Sequence, residues 1–165
     1  MSRGFVKEDD QEETPIIPPR AALPKGVTNY VTPTGLKLLQ AERKQLESER
    51  KNLAVTEEQQ RRRDLAIING KLGLLQERIV LARVLQPKDQ PKDEVRFGAT
   101  VTFKMNNKTQ VFTIVGVDEA DIKQQKIAFV APIAKAITGA KVGKEVAFTS
   151  GTELRKLEVL DISYK

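Results

Sequence analysis

Neither cysteine nor histidine occurs among the 165 residues. Their absence removes disulfides, thiol nucleophiles, zinc sites and any base or metal ligand of the imidazole kind, and with them most hydrolase and oxidoreductase constellations. Also missing is any apolar run near the roughly 18 residues that a membrane span needs. The opening MSRGFVKEDD has no apolar stretch between a basic start and a cleavage site, so it does not read as a secretory signal. The expectation is a cytoplasmic protein with no membrane contact. With 39% hydrophobic and 30% charged residues, the composition is that of a globular chain with a surplus of surface. Its length suits one ordinary domain or two small ones rather than a single large catalytic core.

Charge is spread unevenly. The net charge of +6 sits mainly in the middle of the chain: residues 32–88 hold twelve basic and seven acidic groups, against four and five in residues 1–31 and twelve and ten in residues 89–165. A modest basic surplus is compatible with a solvated surface or with nucleic-acid contact.

Residues 1–31 combine the acids Glu8, Asp9, Asp10, Glu12 and Glu13 with Pro15, Pro18, Pro19 and Pro24, and show no periodicity. Such a stretch buries too little apolar surface to offset its chain entropy. It reads as an extended or disordered arm, mobile to residue 28, whose apolar spots Phe5, Ile16, Ile17 and Val27 are free to dock on the body or on a partner.

Thr32 followed by Pro33 supplies an N-cap and a proline at the first helical position. From there Leu36, Leu39, Leu46 and Leu53 fit a heptad seam, with Arg43 and Arg50 laying their stems along it. A second seam of Leu65, Ile68, Leu72, Leu75, Ile79 and Ala82 steps by threes and fours. Two such seams in tandem predict an antiparallel α-helical coiled-coil hairpin over residues 32–86. Thr56-Glu57-Glu58-Gln59 has the form of a capping box and predicts the second helix start at Thr56. Pairing Leu39 with Ile79 centres the hairpin near Gln59, whereas pairing Leu39 with Leu72 centres it near Val55 and Thr56. Either register leaves Glu57 and Glu58 at the tip, followed by Arg61, Arg62 and Arg63.

Pro87 and Pro91 mark residues 87–94 as a linker. From residue 95 the period becomes two, through Val101, Phe103 and Met105, then Val111, Thr113 and Val115, then Ile127 and Phe129, Val146 and Phe148, Leu157 and Val159, and Ile162 and Tyr164. A hairpin turn is expected at Asn106 to Lys108, and a short helix from Pro132 that Gly139 stops. Residues 95–165 thus predict an antiparallel β-sheet with one short helix, making the chain α+β.

Taken in order, FGATVT (residues 97–102), IVGVDEAD (114–121), IAFVAPIAKAITGAKVGKEV (127–146) and EVLDISY (158–164), placed after a helical hairpin opened by TPTGLKLL, resemble the bacterial Gre transcript cleavage factors. The resemblance covers residues 30–165. It implies an FKBP-like C-terminal domain, though nothing suggests the aromatic pocket of a prolyl isomerase. It also implies a monomeric accessory factor that binds RNA polymerase at its secondary channel and meets nascent RNA there, the polymerase itself performing any RNA cleavage.

By that resemblance Asp121, Pro132 and Ile133 are polymerase contacts, Arg61, Arg62 and Arg63 touch RNA or the channel, and Glu57 and Glu58 help hold an Mg2+ shared with the polymerase. No cofactor of its own is implied. The family's G-D-x-x-E-N-A-E-Y tip segment is absent, and LAVTEEQQRRR (residues 53–63) stands in its place. Plainer readings stand beside these: Glu57 and Glu58 as first-turn acids favoured by the helix dipole, the arginines as a solvated helix start, Pro132 as a helix-opening proline, and Glu119 and Asp121 as turn residues. A Gre-shaped regulator without cleavage stimulation and a coiled-coil RNA-binding adaptor are the alternative functions.

Overall fold

A computed structural model describes residues 13–165. The acidic run from Glu8 to Glu12 and the apolar spot Phe5 lie outside the described residues. A short strand β1 (Asn29–Val31) leads into helix α1 (Pro33–Lys51). Helix α2 (Glu58–Leu81) returns along α1 and passes directly into strand β2 (Ala82–Val84). Strands β3 (Thr100–Met105), β4 (Lys108–Val115) and β5 (Lys126–Ala128), helix α3 (Pro132–Ile137), and strands β6 (Glu145–Ser150) and β7 (Glu153–Ser163) complete the chain.

The start of α1 is as the sequence predicts: the Thr32 hydroxyl accepts from the Gly35 N–H at 2.9 Å, with Pro33 at the first helical position. The two helices close on Leu39, Leu46 and Leu75, flanked by Leu36, Leu72 and Ile79. Arg50 donates to Asn69 Oδ1 at 3.2 Å, which selects the register centred near Gln59. In the slipped register Arg50 would face Arg61, eight residues away from Asn69.

Three expectations for this pair are corrected. The second helix starts one residue later than the capping box predicts: its first internal bond runs from Arg61 N–H to Glu57 C=O, and Glu57 caps it without a side-chain bond. Leu53 falls beyond α1 and leaves the seam. Ala82 is strand rather than helix, because β2 pairs in parallel with β1, Asn29 opposite Ala82 and Val31 opposite Val84.

The five-stranded sheet has the order β5-β4-β3-β7-β6. It is mixed rather than wholly antiparallel, since β5 pairs in parallel with β4. A two-residue turn at Asn106 and Asn107, both at positive φ (52° and 62°), joins β3 to β4, the conformation that asparagine tolerates and hairpins favour. The core side of β4 is Phe112 and Ile114, with Val115 also buried, while Val111 is exposed. The alternation read from Val111, Thr113 and Val115 therefore has the opposite phase. Apolar side chains on both faces of β4 hide its inward side from a period-two reading.

In β7 the pairing with β3 shifts so that Phe103 meets Val159 and Thr102 meets Asp161. The extra residue, Leu160, carries the inward set from Leu157 and Val159 over to Ile162 and Tyr164. Helix α3 covers the sheet with Ala134 and Ile137, both buried against Val101, Phe103, Leu157 and Val159. Among the described residues no helix is long and apolar enough to cross a membrane.

Residues 13–28 run as an extended strap that contacts the body. Arg20 bonds to Glu42 and Asp118, and Ile17 lies over Gly70 of α2. A side chain with two carboxylate partners and a fitted apolar neighbour is held by contacts that composition alone does not show.

Candidate functional site

At the far end of the helical pair, Glu57, Glu58, Arg61, Arg62 and Arg63 are all exposed. Glu58 lies in the first turn of α2 and faces Arg62 one turn on, at 4.0 Å. This is the helix-start arrangement that places acids near the N-terminus and pairs them at i,i+4. Among the described residues no group of three or more acids could hold a metal. Glu57 and Glu58 are two exposed carboxylates, and Glu58 faces an arginine. From Glu58 to Arg78 at the base of the pair, twenty residues of helix span about 30 Å, so the tip is held well away from the sheet.

The residues expected at the C-terminal contact surface divide into two places. Asp121 opens a 3-10 turn (Ile122–Gln124) in which its Oδ1 accepts from the Lys123 N–H at 3.0 Å. Its backbone exchanges two 2.9 Å bonds with Lys126, and Gln125 closes the turn in the left-handed region at φ 57°. The Asp121 carboxylate is thus engaged in shaping a turn, as its plainer reading held. What that turn presents outward is Ile122, 87% exposed, a residue the sequence reading did not select. Pro132 lies beyond the other end of β5, exposed at the first position of α3. Ile133 is half-buried and packs on the sheet core. Asp121 and Pro132 flank β5 rather than meeting.

The acids just before Asp121 turn inward. Asp118, its side chain 6% exposed, accepts from Arg20 at 2.9 Å and faces Arg78 at 3.4 Å. Glu119 accepts from the Thr32 hydroxyl, the same oxygen that caps α1, and faces Lys126 at 3.8 Å. Glu119 is therefore a clasp between the loop after β4 and the start of α1, not a simple turn residue. The hydrogen bond to Glu42, followed by the contact with Asp118, raises the Arg20 pKa and holds the guanidinium charged. Arg20, Arg78 and Asp118 were not selected from sequence; the only signal was the surplus of acids in VDEAD (residues 117–121).

Aromatic contacts close the same joint. Tyr30 of β1 lies edge-on to Phe129 at 5.7 Å and tilted against Phe97 at 6.1 Å. A Cβ on Gly116 would come within 2.6 Å of the Tyr30 carbonyl oxygen, so glycine is required for the backbones to approach. In the sheet unit, the Tyr164 hydroxyl donates to the Glu94 carbonyl at 2.6 Å and accepts from the Arg96 N–H at 2.8 Å. Burial pushes the Tyr164 phenol above its ordinary value of 10.0. Asp93, hydrogen-bonded by Lys141, is held below the ordinary carboxylate value.

The chain thus carries a charged helical tip and a mixed-sheet unit. Residues 90–164 match the family described as transcription elongation factor, GreA/GreB, C-terminal. The transcription elongation factor GreA of Hyphomonas neptunium is 36% identical over 102 residues, 61% of this chain and 65% of that protein. The GreB of Neisseria meningitidis serogroup A is 31% identical over 105 residues, 62% of this chain and 64% of that protein. The chain spans less than two thirds of the length of these curated relatives. Among solved structures, a GreA/GreB elongation factor from Nitrosomonas europaea aligns over 82% of this chain and 98% of its own, at 19% identity and a TM-score of 0.40. The Gfh1 protein of Thermus thermophilus aligns over 83% and 99%, at 16% identity and a TM-score of 0.39.

Proposed function

We propose that this chain is a Gre-type elongation factor that binds RNA polymerase at its secondary channel and promotes release of arrested complexes. The observation that carries the reading is the match of residues 90–164 to the GreA/GreB C-terminal family, joined to a helical pair that holds acids and arginines about 30 Å from that unit. In this reading the pair is a coiled-coil hairpin, the C-terminal unit is an FKBP-like domain, and the protein is a cytoplasmic, monomeric accessory factor rather than an enzyme. The C-terminal unit holds the polymerase through the turn at Asp121 and the surface at Pro132 and Ile133. Arg61, Arg62 and Arg63 face nascent RNA or the channel wall with charge that attracts phosphates. Glu57 and Glu58 add carboxylate to an Mg2+ that the polymerase holds.

A second reading is favoured by one observation. Glu58 faces Arg62 at 4.0 Å, which lowers the negative charge the tip offers to a cation, and only Glu57 and Glu58 supply acids there. In that reading the chain occupies the channel and regulates without stimulating cleavage. Purified polymerase stalled on a backtracked transcript decides between them: added protein shortens the RNA under the first reading. Under the second it binds, leaves the RNA intact and slows cleavage by an authentic Gre factor. Binding to free RNA with no binding to polymerase would defeat both in favour of an RNA-binding adaptor.

A further inference from the structure

Residues 13–24 are joined to both structural units at once. Arg20 donates Nη1 and Nη2 to the two oxygens of Glu42, at 2.8 and 3.0 Å, and Nε to Asp118 Oδ1 at 2.9 Å. Glu42 belongs to α1 and Asp118 to the loop after β4, so one guanidinium bridges the helical pair and the sheet unit. Arg78 of α2 reinforces the bridge by donating to the strap's Ala21 carbonyl at 2.6 Å while facing Asp118 at 3.4 Å. The fork shape of arginine suits it to hold two carboxylates in a fixed geometry, which lysine cannot reproduce.

An apolar residue of the strap is also seated. Ile17, Pro19 and Leu23 line one side of a groove whose other side is Leu74 and Leu81 of α2. A Cβ on Gly70 would come within 2.5 Å of Ile17 Cδ1 and 2.6 Å of its Cγ1. A glycine inside a helix costs about 1 kcal/mol relative to alanine, and at Gly70 the space it leaves is filled by the strap.

We propose that the strap is a brace that sets the angle between the helical pair and the C-terminal unit, with Arg20 as its lock. Beside the Arg78–Asp118 pair, the contacts of Tyr30 with Phe97 and Phe129 and of Thr32 with Glu119 lie next to the start of α1, at the pivot. Contacts at a pivot resist bending weakly, and two linked units move relative to one another by default. Glu42 lies ten residues along α1 from Thr32, about 15 Å, and Gly70 lies eight residues along α2 from Arg78, about 12 Å. A strap fixed at those distances holds the helices with leverage that the pivot lacks. The proposal concerns the free chain and stands or falls apart from the polymerase reading.

The absence of native cysteine makes the test direct. Spin labels on cysteines introduced at Gln59 near the tip and Thr149 on β6, both exposed, report the inter-unit distance by pulsed electron resonance in the 165-residue chain. The wild-type background should give one narrow distribution. Arg20→Ala should broaden it by about twofold or more, the freedom expected of linked units without a rigid interface, with the far-UV circular dichroism unchanged. Gly70→Leu, which displaces Ile17 from the helix side, should broaden it likewise while keeping Arg20. Should Arg20→Ala not fold, Arg20→Lys keeps the positive charge but not the fork and should broaden the distribution as well. Distributions as narrow as wild type in the folded arginine variant and in Gly70→Leu would overturn the brace.

Discussion

Glu57 and Glu58 carry the mechanistic question at the scale of single residues. Changing both to Gln keeps their size and removes two charges, so the loss of dipole interaction should cost about 0.3 to 1 kcal/mol each and leave the pair folded. If they complete a metal site in the polymerase, stimulated cleavage should fall about a hundredfold or more, on the order of 3 kcal/mol, with polymerase binding nearly intact. Transcript-cleavage rates on stalled complexes measure this, and full activity of the double variant would sink the carboxylate role. Tyr164 offers a separate test of the sheet unit. Its phenol is raised above 10.0, so the folded state holds the proton more tightly than the unfolded state. That contribution is fully present below the unfolded pKa and is lost as pH rises through the folded one. Urea unfolding should therefore show stability declining above about pH 10. Tyr164→Phe should flatten that alkaline decline while costing about 1 to 3 kcal/mol at neutral pH, from the two lost hydrogen bonds of a partly buried hydroxyl. An alkaline slope identical in both proteins would refute the assignment.

Among the elements, the helical pair depends on packing rather than propensity. Leu75 is fully buried at the centre of its seam, and α2 contains both Gly70 and Gly73. Leu75→Ala should destabilise the protein by about 2 to 5 kcal/mol, as deletion of buried leucine atoms does. The change should appear as a shift of the urea midpoint, and a shift worth less than about 1 kcal/mol would mean that the seam collapses around the gap. The short turn after Asp121 acts oppositely, because it exposes an isoleucine instead of burying one. Ile122→Asp should leave the unfolding midpoint within about 0.5 kcal/mol of wild type, as exposed substitutions do, yet weaken polymerase binding if this turn meets the partner. Unchanged affinity in a titration against labelled polymerase would place the contact elsewhere, towards Pro132.

On the scale of the whole molecule, the described residues form two separate hydrophobic clusters, one built on Leu39, Leu46 and Leu75 and the other on the sheet and α3. Residues 90–165 contain the second cluster together with the Glu94 carbonyl that receives Tyr164, and should fold without the helices. That fragment should compete with the full chain for polymerase. If it is folded, by dispersed amide resonances, but does not compete at high micromolar concentration, binding is not centred on the C-terminal unit.

Local chemistry alone specified much of this architecture. Thr32 and Pro33 begin a helix wherever they stand, since a side-chain acceptor and a fixed φ act within one turn. The 3-4 spacing from Leu65 to Ile79, the asparagine turn and the family fragments after residue 95 were likewise readable, because each depends on neighbours close in sequence. The candidate site was legible as residue types, acids and arginines at a tip, but not as geometry. Tertiary structure decided the register, through Arg50 and Asn69. It ended α2 at Leu81 because β2 found a partner fifty-three residues earlier in β1. It also turned Asp118 and Glu119 inward, although nothing in VDEAD distinguishes them from Asp121. A proline-rich segment became a brace through Arg20, whose two carboxylate partners lie 22 and 98 residues away. Local rules depend on a residue and its next few neighbours, whereas these outcomes depend on which distant carboxylate, strand or cavity the fold brings within a few ångströms.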